Sequence, residues 1–217
     1  MGKTRIKLTE SHIDNIIRES LNDILAEIYT DAKIRQSTDS DYWNICKITS
    51  QIEGAPSPET IDSWFVEEGG LNNSMSFVAE NLNGEMVGVC VCSNGTIDDE
   101  SPDMKDVQPK LYDKLNKFKY VMGLGFFIKK EYRGGNLHRN MMNSILRNAQ
   151  KLRYDFVIIP VYRHLKTHNM YLHIGCIPFH VSTEDVIYYL YPINKEIINV
   201  VRNNTTQSEV KSKLLHL

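Results

Sequence analysis

The sequence predicts one mixed α/β domain, and three observations carry that reading. Asn83-Gly84 lies between two apolar or alternating runs, Ser74–Glu80 and Met86–Cys92, and is the strongest short signal for an antiparallel hairpin. Further on, an apolar strand at Tyr120–Ile128, an amphipathic helix at Asn136–Lys151 and a buried strand at Asp155–Tyr162 have the order of a βαβ unit. The chain has 217 residues, 41% hydrophobic and 24% charged, which is enough for one full core and argues against disorder over most of the length.

The other elements follow from caps and periodicity. Residues 1–30 read as a separate amphipathic helix: Ser11 caps it, and Ile13, Ile17, Leu21, Ile24 and Ile28 form one stripe. That stripe packs either on its own domain or on a partner, as a docking helix or as the dimerisation helix of a homodimer. The stretch from Lys7 to Ser20 also resembles a leader seen on many bacteriophage proteins. Lys33–Ser37 reads as an edge strand. Asp39 or Ser40 then opens a helix carrying Trp43, Ile45, Cys46 and Ile48. Ser57 and Pro58 begin a second helix over Glu59–Glu68, which ends at Gly69-Gly70.

Residues 93–119 are polar and contain Pro102 and Pro109, the pattern of a mobile loop or substrate wall with a short helix near Lys110–Phe118. His164–Ile174 reads as a helix stopped by Gly175, and Asp185–Tyr191 as a last strand ended by Pro192. Beyond Asn194 a weak helix fades into a polar tail. The layout is therefore an extension at 1–30, a domain at 31–193 and a tail at 194–217.

A formal net charge of −2 supplies no global positive field, so neither nucleic acid nor an anionic membrane is an expected partner. The apolar run Phe156–Val161 is far too short to span a bilayer and the N-terminus is polar, so the expected address is cytoplasmic. Cys46, Cys90, Cys92 and Cys176 form no CxxC pair and read as reduced core residues. His164 and His168 stand four apart on the expected helix, but no HExxH motif and no third ligand accompany them, so no metal is expected. Asp98-Asp99-Glu100 is either a solvated acidic loop or a recognition element for a cationic amine.

Chemistry concentrates after the strand Leu124-Gly-Phe-Phe-Ile128. The loop Lys129-Lys-Glu-Tyr-Arg-Gly-Gly-Asn-Leu-His138 leads into a helix. Such a loop aims backbone N–H groups and the positive end of the helix dipole at one spot, which suits a pyrophosphate, with Arg133 and Arg139 at its rim. A strand, a tight turn and a helix can equally be a plain connection.

The segment resembles the pantetheine-pyrophosphate loop of GNAT acetyltransferases, whose pattern is Arg or Gln, two residues, Gly, one residue, Gly or Ala. Arg133 fills the first place, Gly134-Gly135 the variable pair, and Asn136 and His138 stand where the family has small residues. A side chain at position 138 therefore has to turn away from the phosphates, while Asn136 tolerates unusual backbone angles. Tyr171-Leu-His-Ile-Gly175 is similar to the family's fourth helix, where the tyrosine acts as the general acid that reprotonates the coenzyme thiolate. On its own, Tyr171 reads as a half-buried aromatic.

The resemblance covers roughly three quarters of the chain. It implies a mixed, mostly antiparallel sheet flanked by helices and splayed around acetyl-CoA. Phe126, Phe127, Ile128, Arg133, Gly134, Gly135, Asn136, Leu137, His138, Arg139 and His164 would hold the coenzyme, and a backbone N–H near Phe127 or Ile128 would stabilise the oxyanion. His164 occupies the place where the family often has an Asn facing the coenzyme. The implied reaction moves acetyl directly to the amine of a small molecule or protein. The strand Tyr120–Ile128 carries no carboxylate, which leaves Glu53 and Glu80 as candidate bases. The same absence, with Asn136 and His138, fits an alternative: a GNAT-like binding module without catalysis.

Overall fold

The hairpin forms where its turn residues place it. Gly84 takes φ +76°, and the Asn81 side-chain oxygen accepts the N–H groups of Asn83 and Glu85, at 3.0 and 2.9 Å, which closes the loop between β2 (Phe77–Asn81) and β3 (Met86–Ser93). The run before β2 is a turn rather than strand: Asn72 O accepts the N–H groups of both Met75 and Ser76. The computed structural model describes residues 32–51, 56–67, 69–100, 103–133, 135–165, 167–183 and 185–205. The expected helix at 1–30, Glu53, Gly134 and the end of the polar tail lie outside them.

The sheet is completed by β1 (Ala32–Gln36), β4 (Tyr120–Ile128), β5 (Phe156–Tyr162), β6 (Ile177–Val181) and β7 (Val186–Pro192), in the order β1-β2-β3-β4-β5-β7-β6. Every neighbouring pair is antiparallel except β4–β5. This is the mixed, mostly antiparallel sheet that the sequence implied.

Eight helices among the described residues cover it: α1 (Tyr42–Thr49), α2 (Pro58–Glu67), α3 (Ile97–Glu100), α4 (Met104–Val107), α5 (Pro109–Leu115), α6 (Leu137–Lys151), α7 (His168–His173) and α8 (Glu196–Asn204). On one face, Leu137, Met141, Ile145 and Ala149 of α6 and Tyr171 of α7 join Ala79, Cys90, Val157, Ile159 and Tyr189 in one continuous core. The opposite face carries two separate cores. Ile45, Cys46, Ile61 and Phe65 of α1 and α2 cover Val78, Val89 and Val91. Leu111 and Leu115 of α5 and Ile197 of α8 cover Phe156, Ile158 and Leu190. No helix among the described residues is long and apolar enough to cross a membrane.

Residues 93–119 depart from the expected mobile loop. Ile97, Met104, Leu111 and Leu115 are fully buried in three short helices. Gln108 donates to the Phe179 carbonyl at 2.8 Å, and Nε2 of the buried His180 donates to Asp103 at 2.9 Å, which ties the segment to β6. The helix expected at His164 begins at His168 instead. The chain first turns out of β5, with Leu165 N–H on Tyr162 O, and the His168 ring bonds the Arg163 carbonyl.

Edge strand β1 is anchored to α1 by charge. Arg35 donates to both carboxylate oxygens of Asp41, at 2.7 and 2.8 Å, and to Glu80 at 3.1 Å. The Arg35 guanidinium, opposed by burial and helped by the Thr38 N–H, holds the Asp41 carboxyl at about 2, below its ordinary 3.8. Arg35→Met leaves two carboxylates unpaired and lowers unfolding stability by about 2 kcal/mol, read from the denaturant midpoint. Because Asp41 is depressed, its share of the wild-type advantage is full above pH 3.8 and is lost as the pH falls through about 2.

Candidate active site

The site begins at a short seam. β4 and β5 pair at three positions only, Tyr120↔Phe156, Val121↔Val157 and Met122↔Ile158. At the next residue, a Cβ on Gly123 would lie 3.2 Å from the Ile158 carbonyl, so only glycine allows this approach without displacing a strand. The register with β3 then slips, Cys92 facing Gly123 and Val91 facing Gly125, which leaves Leu124 as a bulge and Gly125 at φ +143°. Beyond the bulge β4 continues along β3 while β5 follows β7, and the two halves of the sheet part.

Ladder alternation decides which backbone groups face the gap. Lys129 N–H bonds the Val87 carbonyl, so Val87–Lys129 is a hydrogen-bonded pair, as are Val89–Phe127 and Val91–Gly125. The N–H and C=O groups of Phe126 and Ile128 therefore face away from β3, along an edge with no neighbouring strand. Phe127 N–H points into the sheet, so of the two expected N–H groups only that of Ile128 faces the gap, with that of Phe126 beside it.

Three side chains converge beside this edge. The Phe126 and His138 rings meet edge to face with centroids 4.2 Å apart, and His138 meets Tyr171 the same way at 6.1 Å. His138, second residue of α6, thus turns away from the loop and into the protein. Burial holds its imidazole at about 4, against an ordinary 6.5. Its Nε2 is buried and has no hydrogen-bond partner among the described residues.

Tyr171 is 5% exposed. Gly175, at φ +94°, reverses the chain so that Cys176 N–H bonds the Tyr171 carbonyl at 3.0 Å, which gives the Tyr-x-x-x-Gly spacing its physical basis. The Tyr171 ring stacks on Tyr189, whose hydroxyl lies 2.9 Å from His168 Nδ1, and His168 Nε2 donates to the Arg163 carbonyl. Burial raises the Tyr171 phenol well above its ordinary 10, so the hydroxyl stays protonated.

Two clefts flank the convergence. One, of about 370 Å³, lies between α6 and α7 and is lined by His138, Arg139, Met142, Asn169, Met170, His173 and Ile174. The other, of about 330 Å³, is lined by Ile48, Gln51, Phe127, Ile128, Lys129, Lys130, Glu131 and Arg133. Arg133 Nε donates to the Ile128 carbonyl at 2.7 Å.

The remaining expected residues divide. Leu137 is buried core, and Gly135 has open space around it. Asn136 precedes α6 at an ordinary φ of −84°, so its tolerance of unusual angles goes unused. His164 is exposed in the turn after β5, packs on Tyr162 and lines neither cleft. Glu80 is held by Arg35. His168, weighed from the sequence only as a metal ligand, has both ring nitrogens engaged by the protein, a role the sequence did not reveal, and no group of metal ligands exists among the described residues.

No protein-family model matches the sequence, and no curated protein matches it. Solved structures match its fold. The ribosomal-protein-S18-alanine N-acetyltransferase of Escherichia coli superposes with a TM-score of 0.52 at 13% identity, over 75% of this chain and 94% of its own. The GNAT family N-acetyltransferase YhbS of Escherichia coli, in complex with CoA, gives 0.55 at 16% identity over 78% and 86%. The chain has the GNAT acetyltransferase fold. A third such structure, yncA of Salmonella typhimurium with its cofactor acetyl-CoA, gives 0.51 at 12% identity over 76% and 96%. In this GNAT fold the strand pair that parts is β4–β5, and Tyr171 stands beside the opening.

The depressed imidazole has a consequence for stability. The unfolded chain binds a proton at His138 before the folded one does, so the unliganded protein loses stability as the pH falls from about 6.5 towards about 4. His138→Phe, which keeps the edge-on ring contacts, flattens this part of the profile in thermal melts taken at successive pH values, and an unchanged profile would remove His138 from it.

Proposed function

We propose that the protein is an acetyl-CoA-dependent N-acetyltransferase that passes acetyl directly to an amine. The observation that carries the proposal is the edge at Phe126 and Ile128, which has no neighbouring strand, together with the ring contacts that bring Phe126, His138 and Tyr171 into one place; the Tyr171 hydroxyl makes no hydrogen bond among the described residues. An extended chain of amides can add to such an edge as a strand would, and the pantetheine arm of coenzyme A is one. Arg133 and the start of α6 then meet the pyrophosphate, and the cleft at Arg139 and Asn169 accommodates the nucleotide end. His164 has weaker support, from its exposed position off both clefts.

In this reading the amine attacks the thioester carbonyl, and the developing oxyanion accepts an N–H of Phe126 or Ile128. The intermediate collapses with cleavage of the C–S bond, the nitrogen loses its proton to solvent, and the Tyr171 hydroxyl gives its proton to the sulfur and regains one from solvent before the next turnover. A buried thiolate is itself a stronger base than one in water, which offsets the high pKa of a buried phenol. The acceptor is an amine of a small molecule or a protein. With Glu80 engaged by Arg35 and no acid on β4, a coenzyme-binding module without catalysis is the second reading.

Two measurements separate them. Tyr171→Phe keeps the ring and its stacking on Tyr189 while deleting the proton donor, so turnover falls on the order of 10²-fold with coenzyme affinity little changed. Wild-type protein that binds coenzyme but transfers to no amine of a broad panel supports the module. Arg133→Ala weakens coenzyme binding by about tenfold and leaves turnover at saturating coenzyme nearly intact, since a phosphate contact acts on ground and transition states alike. An unchanged dissociation constant would take Arg133 out of the site.

A further inference from the structure

His138 is the one residue shared by the cleft between α6 and α7 and the convergence at Tyr171: it lines the cleft, whereas Phe126 and Tyr171 do not, and both contact its ring. Its ring therefore joins the cleft to the Tyr171 ring. The buried Nε2 has no partner in the unliganded chain, a costly state that native proteins keep where a ligand or function supplies the missing bond. An apolar side chain of the same shape would fill this place more cheaply.

The chemistry of the missing partner follows from the charge of the ring. Burial keeps the imidazole neutral at physiological pH, with one N–H and one lone pair. A phosphate is best met by a cation, and the exposed Arg133 is available for that on the rim. A neutral ring facing inwards matches a neutral group that donates or accepts, which is what an amide offers. The unpaired edge at Phe126, whose side chain touches the same ring, leads past this point.

We propose that His138 is a coenzyme-arm residue: its ring moves aside as the pantetheine arm enters, and Nε2 then hydrogen-bonds an amide of that arm. This rests on the coenzyme reading above and gives a role to a side chain where the resemblance called for a small residue. It also makes His138 a determinant of arm recognition rather than of nucleotide recognition.

The test compares the wild type, His138→Phe and His138→Gln, each titrated with coenzyme A and with 3′-phospho-ADP, which lacks the arm. His138→Phe retains the ring packing and loses the nitrogen. Its unliganded form melts above the wild type, its affinity for coenzyme A falls about tenfold, and its affinity for 3′-phospho-ADP stays within about twofold. His138→Gln, whose amide reaches about as far as Nε2, recovers most of the loss. Coenzyme A bound equally or more tightly by His138→Phe would overturn the assignment and leave the acetyltransferase reading standing, and an equal loss for both ligands would move His138 to the nucleotide. Wild-type protein that binds neither ligand would overturn the coenzyme reading and this inference together.

Discussion

The constraint on which the molecule depends is the seam of three residue pairs between β4 and β5. Parallel strands gain stability from long ladders, yet here the ladder stops at Met122↔Ile158, where the bulge at Leu124 re-aims β4. The two half-sheets then need separate support. They receive it on one face from two distinct cores, one under α1 and α2 and the other under α3 to α5 and α8. Only the α6–α7 layer spans both halves, with Ala79 and Cys90 from one side and Ile159 and Tyr189 from the other in a single cluster. That layer holds the gap at a fixed width, and the side chains meeting the gap, His138 and Tyr171, come from it.

This arrangement explains why the convergence is poor in hydrogen bonds. A strand edge without a neighbouring strand and a buried imidazole nitrogen would each be expected to find a partner in a protein interior. Around them the groups are satisfied: Tyr189 bonds His168, His168 bonds the Arg163 carbonyl, and the Tyr171 carbonyl takes Cys176 N–H. The unpartnered His138 Nε2 lies at this locus beside groups that are bonded, and a second buried atom without a partner, Gln108 Oε1, lies apart from it against β6.

Where the sequence was legible, a strong local signal and the tertiary context agreed. Asn83-Gly84, the stripe of α6 and the stop at Gly175 each act within a few residues, and each produced the expected element. In the insertion the helix expected near Lys110–Phe118 forms as α5, whereas α3 and α4, of 4 residues each, are too short for a helical period to declare itself. The insertion's burial depends on Phe179 and His180, more than 70 residues away. At the site, residue types were visible and orientations were not. Whether Phe126 or Phe127 offers its N–H to the gap is fixed by register, and the inward turn of His138 by space beside Phe126. His168 drew attention only as a possible metal ligand beside His164, because a helical histidine carries no sign that both nitrogens will be engaged by the protein itself.

The distribution of charge adds the last step. Lys129, Lys130 and Arg133 line the outer cleft, and Arg139 lines the other. Inside, Tyr171, His138, Cys90 and Cys176 are all held neutral by burial: the phenol and thiols are raised and the imidazole is lowered. Cations at the surface attract an anion without the cost of burying their own charge, since that cost grows steeply with depth. A neutral interior leaves a departing thiolate as the strongest local charge at the moment it forms, with a protonated hydroxyl beside it. Under the proposed reaction, anion binding and proton donation belong to different depths of one opening, and the seam between β4 and β5 is what joins them.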